Sequence, residues 1–267
     1  MSGTVKPKIF FIGETKVRHG EVQNLLEHLG VPDWTSDAAS DGELLTEIYG
    51  RGCYMSFASE TVNPSEVNPN LTTVRKTNKS YLTNVIKKGD GSIFEHVMTN
   101  WFFADVSRVF THELVRHRIG VAISQESLRF VRLTDLNWFA PAAIKEDADL
   151  MTIYSDSFEW LSELQRFLAD KMSLDSGKKF DELKKLTSTA RRLAPMGLAT
   201  NIGWSANLRT LRHVIEQRTA PWAEEEIRLV FNEVAEIAAA QWPVVFNDYD
   251  VEIVDGIGWW KTANNKL

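Results

Sequence analysis

ADVSRVFTHELVRHRIGVAISQESLRFVR, residues 104–132, decides how the rest of the chain is read. Val106, Val109, Phe110, Leu114 and Val115 recur near the 3.6-residue period and predict a helix with one apolar stripe. Arg116, His117 and Arg118 fall at its C-terminal end, where cations suit the negative end of the helix dipole. That placement alone fits a solvated helix end as well as one wall of a ligand site. Gly120 breaks the helix, and Ser124, Gln125, Glu126, Ser127 and Arg129 precede any new amphipathic period, which predicts a loop rich in donors and acceptors. Five basic groups, Arg116, His117, Arg118, Arg129 and Arg132, crowd into seventeen positions. Such a stretch makes a poor core and a good anion site, because the planar guanidinium fork grips phosphates and planar polar bases.

Working outward, Val97 to Ala104 is rich in β formers and predicts a strand feeding this helix, with Glu95 and His96 as its entry. Ser80 to Lys88 has helical spacing and is capped by Gly89. Further upstream, Lys8 to Ile12 predicts a strand, Gly20 to Leu29 a helix closed by Gly30, and Asp41 to Tyr49 a helix ended by Gly50. Ser59 to Thr77, with Pro64 and Pro69, reads as a polar connector.

Downstream, Trp138, Phe139 and Pro141 predict a packed loop, and Met151 to Met172 a long amphipathic helix. A further helix from Phe180 to Leu193 stops near Pro195, and both serve as scaffolding. Ser205 predicts the N-cap of a helix whose apolar side is Leu208, Leu211 and Ile215 and which carries Asn207, Arg209, His213 and Arg218. Those basic residues are either a solvated face or a second part of the anion site. Glu224, Glu225 and Glu226 form the acid-rich first turn of another helix running through Phe231 to Ile237, and Tyr249 to Val254 alternates like a final strand.

The 267 residues, 43% of them hydrophobic, can bury one large core, and the organisation expected is a single domain over residues 1–267. A formal net charge of −6 argues against nucleic acid or an anionic membrane as a partner, so the arginines act locally. No run of eighteen apolar residues occurs, and MSGTVKPKIFFIG turns polar too early for a secretion signal, which predicts a soluble cytoplasmic protein. Cys53 is the only cysteine, which excludes an internal disulfide and a cysteine-built metal site; its apolar neighbours predict a buried, inert thiol.

Arg116-His117-Arg118, eight residues, then Ser127-Leu128-Arg129-Phe130 resembles the signature of the flavin-dependent thymidylate synthases. Asn207-Leu208-Arg209, His213, Arg218 and the Ala223 to Arg228 turn are similar to that family's second block. The resemblance implies an α+β fold with a mixed central sheet flanked by helices, and a homotetramer with shared active sites. It implies FAD as cofactor, with NADPH and methylenetetrahydrofolate as co-substrates, in the reductive methylation of C5 of dUMP to dTMP. The same chemistry on UMP, or a flavin and nucleotide binder without turnover, are its alternatives. By position, Ser92, Arg116, His117, Arg118, Gln125, Asn207, Arg209 and His213 would hold flavin. Glu113, Arg116, Gln125, Glu126, Ser127, Leu128, Arg129, Arg191 and Arg218 would line the pyrimidine nucleotide monophosphate, with no metal. Arg218 and Ser127 are the implied catalytic positions, Arg218 favouring an ionised uracil ring and Ser127 as a nucleotide ligand, since no base stands near it in sequence. The chain departs from the family pattern at Asp90, commonly histidine, at Ile93, commonly proline, at Glu113 and Glu224, commonly glutamine, and at Ser188, commonly glutamate. Glu113 brings a carboxylate near a phosphate-bearing ligand unless it is turned away or protonated.

Overall fold

The computed structural model describes residues 2–58 and 63–265. In chain order its elements are β1 (Thr4–Val5), β2 (Lys8–Glu14), α1 (His19–His28), α2 (Asp41–Tyr54), α3 (Pro64–Val67) and α4 (Asn78–Lys88). A 3-10 turn (Gly91–His96) leads into β3 (Met98–Ser107), α5 (Arg108–Leu114), β4 (Val121–Gln125), β5 (Trp138–Phe139), α6 (Ala142–Lys145), α7 (Ala148–Lys171) and α8 (Phe180–Ala190). A second 3-10 turn (Arg191–Leu193) precedes β6 (Ala199–Asn207), α9 (Leu208–Thr219), α10 (Glu225–Gln241), β7 (Tyr249–Val254) and β8 (Ile257–Thr262). Of the polar connector expected at 59–77, residues 59–62 lie outside the described ones.

The α+β class holds, with two changes. The central sheet, ordered β2-β3-β6-β4, is antiparallel throughout rather than mixed; the parallel pair β1–β5 lies outside it. Thr99, Trp101 and Phe103 of β3 and Ile202, Trp204 and Ala206 of β6 alternate onto one buried face, with Trp101 opposite Trp204. Leu82 and Ile86 of α4, Phe110 and Leu114 of α5, Leu211 and Ile215 of α9 and Phe231 and Val234 of α10 cover that face. The opposite face keeps Phe10, Ile12 and Phe102 exposed, so helices pack on one side of the sheet where flanking helices were expected.

β3 and β6 run in opposite directions, and each turns into a helix without a loop. Ser107 Oγ accepts the Phe110 N–H at 3.0 Å to cap α5, and Asn207 Oδ1 accepts the Thr210 N–H at 2.8 Å to cap α9. Ser205, the expected cap, lies inside β6 and donates its hydroxyl to Asn100 Oδ1. The helix expected from Val106 begins at Arg108, because Val106 and Ser107 still pair with Thr200 and Ala199 after a bulge at Asp105, whose φ is +58°. Val121 to Gln125, expected as loop, is an edge strand on β6. Glu95 and His96 belong to the 3-10 turn and not to the strand.

Gly50 does not end α2. A Cβ there would stand 2.5 Å from Tyr81 Oη, so the glycine lets α2 lie close to α4, and the helix stops at Met55 in the left-handed conformation. Cys53 is exposed, not buried, on the last turn of α2. Trp138 and Phe139 are the buried strand β5; Trp138 stacks on Phe158 at 4.8 Å in a second, smaller cluster with Leu128, Leu136 and Leu198.

Candidate functional site

After α5 the chain runs beside α9 in the opposite direction, and this contact builds a cleft. His117 Nε2 accepts the Arg218 Nε–H at 2.7 Å, the His117 and His213 rings lie 6.0 Å apart, and the Ile119 carbonyl accepts from Thr210 Oγ1 at 2.9 Å. Gly120 closes the ladder: its carbonyl accepts the Asn207 N–H, its φ is +69°, and a Cβ on it would meet Thr210 Oγ1 at 2.6 Å. The resulting cleft, about 500 Å³, is lined by Arg116, His117, Arg118, Asn207, Arg209 and His213, together with Glu95, Ile119 and Thr210. Six of the eight residues expected to hold flavin therefore share one wall system although they come from two distant stretches of sequence.

Charge in the cleft is unevenly balanced. Arg116 and Arg118 are exposed, and neither meets a carboxylate among the described residues. Arg209 pairs with Glu95 at 2.5 Å. Burial, then Arg218, then His213 push His117 down to about 4, so its imidazole is neutral at pH 7. Arginine can only donate, so Nε2 carries the lone pair and Nδ1 the proton. Burial and Arg218 also lower His213.

Arg218 is nearly buried and does not line the cleft. It donates to Glu113 Oε2 at 2.6 Å and to the Glu113 carbonyl at 2.9 Å as well as to His117. The carboxylate of Glu113 therefore faces a guanidinium of its own chain, that of Arg218. Three of the five N–H groups of Arg218 are engaged by its own chain, leaving two.

Of the remaining expected residues, Gln125, Glu126 and Arg191 stand near α5, away from its histidine-bearing end. Gln125 Nε2 donates to Thr111 Oγ1 at 3.1 Å, and Glu126 accepts from Asn201 Nδ2 at 2.6 Å. Burial first and then neighbouring Arg191 lower Arg108, the opening residue of α5, against the opposing pull of Glu126, so Arg108, Glu126 and Arg191 share one neighbourhood. Ser127 Oγ accepts the Arg129 N–H at 3.4 Å, and no hydrogen-bonded base reaches it among the described residues. Arg129 is half-buried, its guanidinium 5.9 Å from the Phe130 ring. Leu128 is 5% exposed and its side chain belongs to the second apolar cluster, so only its main chain can meet a ligand. Ser92 is exposed beside Gly91 and does not line the cleft, nor do Gln125 to Arg129. Ile119, Thr210 and Arg108 join these groups without having been singled out in the sequence, and Glu95 joins them although its expected place was a strand entry; for Thr210 the signal was present, as the third residue after a capping asparagine.

No helix among the described residues is long and apolar enough to cross a membrane, and no group of histidine, cysteine and acidic side chains among them could hold a metal ion. Residues 36–244 match the family model Thy1, thymidylate synthase complementing protein. A flavin-dependent thymidylate synthase of Mycobacterium tuberculosis (strain H37Rv) is 34% identical over 237 residues, covering 86% of this chain and 89% of the relative. Those of Mycobacteroides abscessus and Mycolicibacterium gilvum are 32% and 31% identical, each over 84% of this chain and 86% of the relative. The chain belongs to the Thy1 family, that of the flavin-dependent thymidylate synthases.

Proposed function

We infer that this chain is a cytoplasmic single-domain enzyme that methylates C5 of dUMP reductively, with methylenetetrahydrofolate as one-carbon donor and FAD reduced by NADPH. The observation that carries the reading is the meeting of Arg116, His117 and Arg118 with Asn207, Arg209 and His213 around one cleft. Its chemistry fits a dinucleotide: Arg116 and Arg118, which meet no carboxylate among the described residues, suit a diphosphate, and neutral histidines beside Asn207 offer hydrogen bonds without adding charge. Ser92 and Gln125 would complete the flavin contacts from outside this cleft. Bound there, FAD supplies the hydride chemistry.

The nucleotide would lie toward Gln125, Glu126, Ser127, the main chain of Leu128, and Arg129, with Arg191 at its phosphate and Arg116 and Glu113 between the two ligands. Arg218 would offer its two free N–H groups to the pyrimidine, and its charge would stabilise electron density gathering on the ring. Glu113 and His117 hold that guanidinium in place, so it need not reorganise. No thiol is needed, in keeping with a chain whose single cysteine, Cys53, does not line the cleft. A homotetramer would cover the exposed Phe10, Ile12 and Phe102 and complete the site from a second copy.

The test is tritium release from C5-tritiated nucleotide by purified protein supplied with FAD, NADPH and methylenetetrahydrofolate. Release from dUMP is expected. Release from UMP alone moves the substrate, and release from neither, with flavin and nucleotide still bound, leaves a binding protein without turnover.

A further inference from the structure

Among the described residues, Arg209 is the one cleft arginine that pairs with a carboxylate. Its Nη1 lies 2.5 Å from Glu95 Oε1, and both side chains are partly exposed, at 39% and 48%. Beneath it, a Cβ on Gly91 would come within 2.7 Å of Arg209 Nε and 3.1 Å of Cζ, so the guanidinium rests on bare backbone. The 3-10 turn that carries Gly91 and Glu95 packs against α9, and Arg209 lies on the first turn of that helix, so pair and platform form one local device. Arg116 and Arg118, across the cleft, have no such counter-ion among the described residues.

We propose that Glu95 is an internal competitor for Arg209: it holds the guanidinium on the Gly91 platform and yields it when a phosphate-bearing ligand enters the cleft. This rests on the flavin reading only for the identity of the ligand; the competition itself concerns any phosphate that reaches Arg209. An exposed ion pair is weak, whereas a bidentate guanidinium–phosphate contact is among the stronger polar contacts, so the exchange runs toward the ligand. The weakness of the pair also limits the effect. Glu95 can reduce ligand affinity by no more than about fivefold. A second consequence is selectivity, because a ligand must offer Arg209 a better partner than a carboxylate; neutral flavins without phosphate gain nothing there.

The experiment is a double-mutant cycle on the full chain at fixed ionic strength, using Glu95→Gln, Arg209→Ala and the combination, with FAD and separately inorganic pyrophosphate as titrants. Glutamine keeps the size and one hydrogen bond but removes the competing charge. Glu95→Gln is expected to tighten both titrants about twofold to fivefold, and to change nothing when Arg209 is already alanine. Weaker or unchanged binding in Glu95→Gln overturns the proposal. Equal tightening with and without Arg209 also overturns it, since the carboxylate would then act by its field alone. If pyrophosphate behaves as expected and FAD does not bind, the flavin reading fails while the competition stands; if neither titrant binds wild type, both fall.

Discussion

At the scale of single residues, the two most informative groups are a histidine and a glutamate held away from their ordinary ionisation. His117 sits at about 4, below its ordinary value, so between those limits the folded chain binds fewer protons than the unfolded one. Its contribution to stability is full above pH 6.5 and is lost as pH falls toward 4. Glu226 runs the other way. It is 1% exposed, accepts the Ser107 N–H at 2.6 Å and the Ser107 hydroxyl, and burial raises it to about 7 against those hydrogen bonds. The folded chain then binds more protons, so this contribution is full below the ordinary carboxylate range and lost as pH rises through 7. Glu226→Gln cannot ionise, and its stability relative to wild type is expected to improve by on the order of 1–3 kcal/mol between pH 5 and pH 8. Thermal unfolding at the two pH values checks this; an unchanged difference would mean that Glu226 is ionised throughout.

The element scale concerns how strands hand over to helices. β3 into α5 and β6 into α9 are joined by single capping residues, which puts the end of α5 beside α9 and lets Gly120 touch Asn207 and Thr210. Gly120→Ala would require a left-handed φ and a Cβ within 2.6 Å of Thr210 Oγ1. We expect a loss of about 1–3 kcal/mol in stability and a larger proportional loss of flavin affinity, read by denaturant unfolding and by FAD titration. Retained affinity at reduced stability would show that the ladder does not shape the cleft.

Much of this layer was legible in sequence. The 3.6-residue period located α1, α4, α7, α8 and α10, and Arg116–Arg118 and Asn207–His213 did meet in space. Strand β6 could have been found, since Ile202, Trp204 and Ala206 alternate with Asn201, Gly203 and Ser205; reading Ser205 as a cap hid that alternation. β4 is a short edge strand whose partner lies far along the chain, so local composition resembles a loop. Glu113 looked like an intruding charge because its neutralising partner, Arg218, stands 105 positions away, and Gly50 looked like a helix stop because Tyr81 belongs to another helix. Local periodicity carries element type; these long-range pairings it does not carry.

For the whole molecule, the sheet is covered on one side and bare on the other. Phe10, Ile12 and Phe102 are 46%, 67% and 39% exposed on or beside paired strands β2 and β3, an apolar surface of the kind that associates. A homotetramer of the 30.3 kDa chain is expected in solution. Phe10→Asp combined with Phe102→Asp should lower the mass measured by light scattering, and a site shared between copies would lose flavin with it. A monomeric wild type with full flavin binding would remove the shared site.

Two distant stretches of sequence are expected to build one flavin site. Its most direct measurement is flavin content, from the absorbance of purified wild type, Arg116→Ala and Asn207→Ala after saturation with FAD and gel filtration. Wild type should retain about one flavin per chain, and each substitution, one from either stretch, should strip most of it while circular dichroism stays unchanged. Full retention in either variant, or a wild type that keeps no flavin, would contradict the claim.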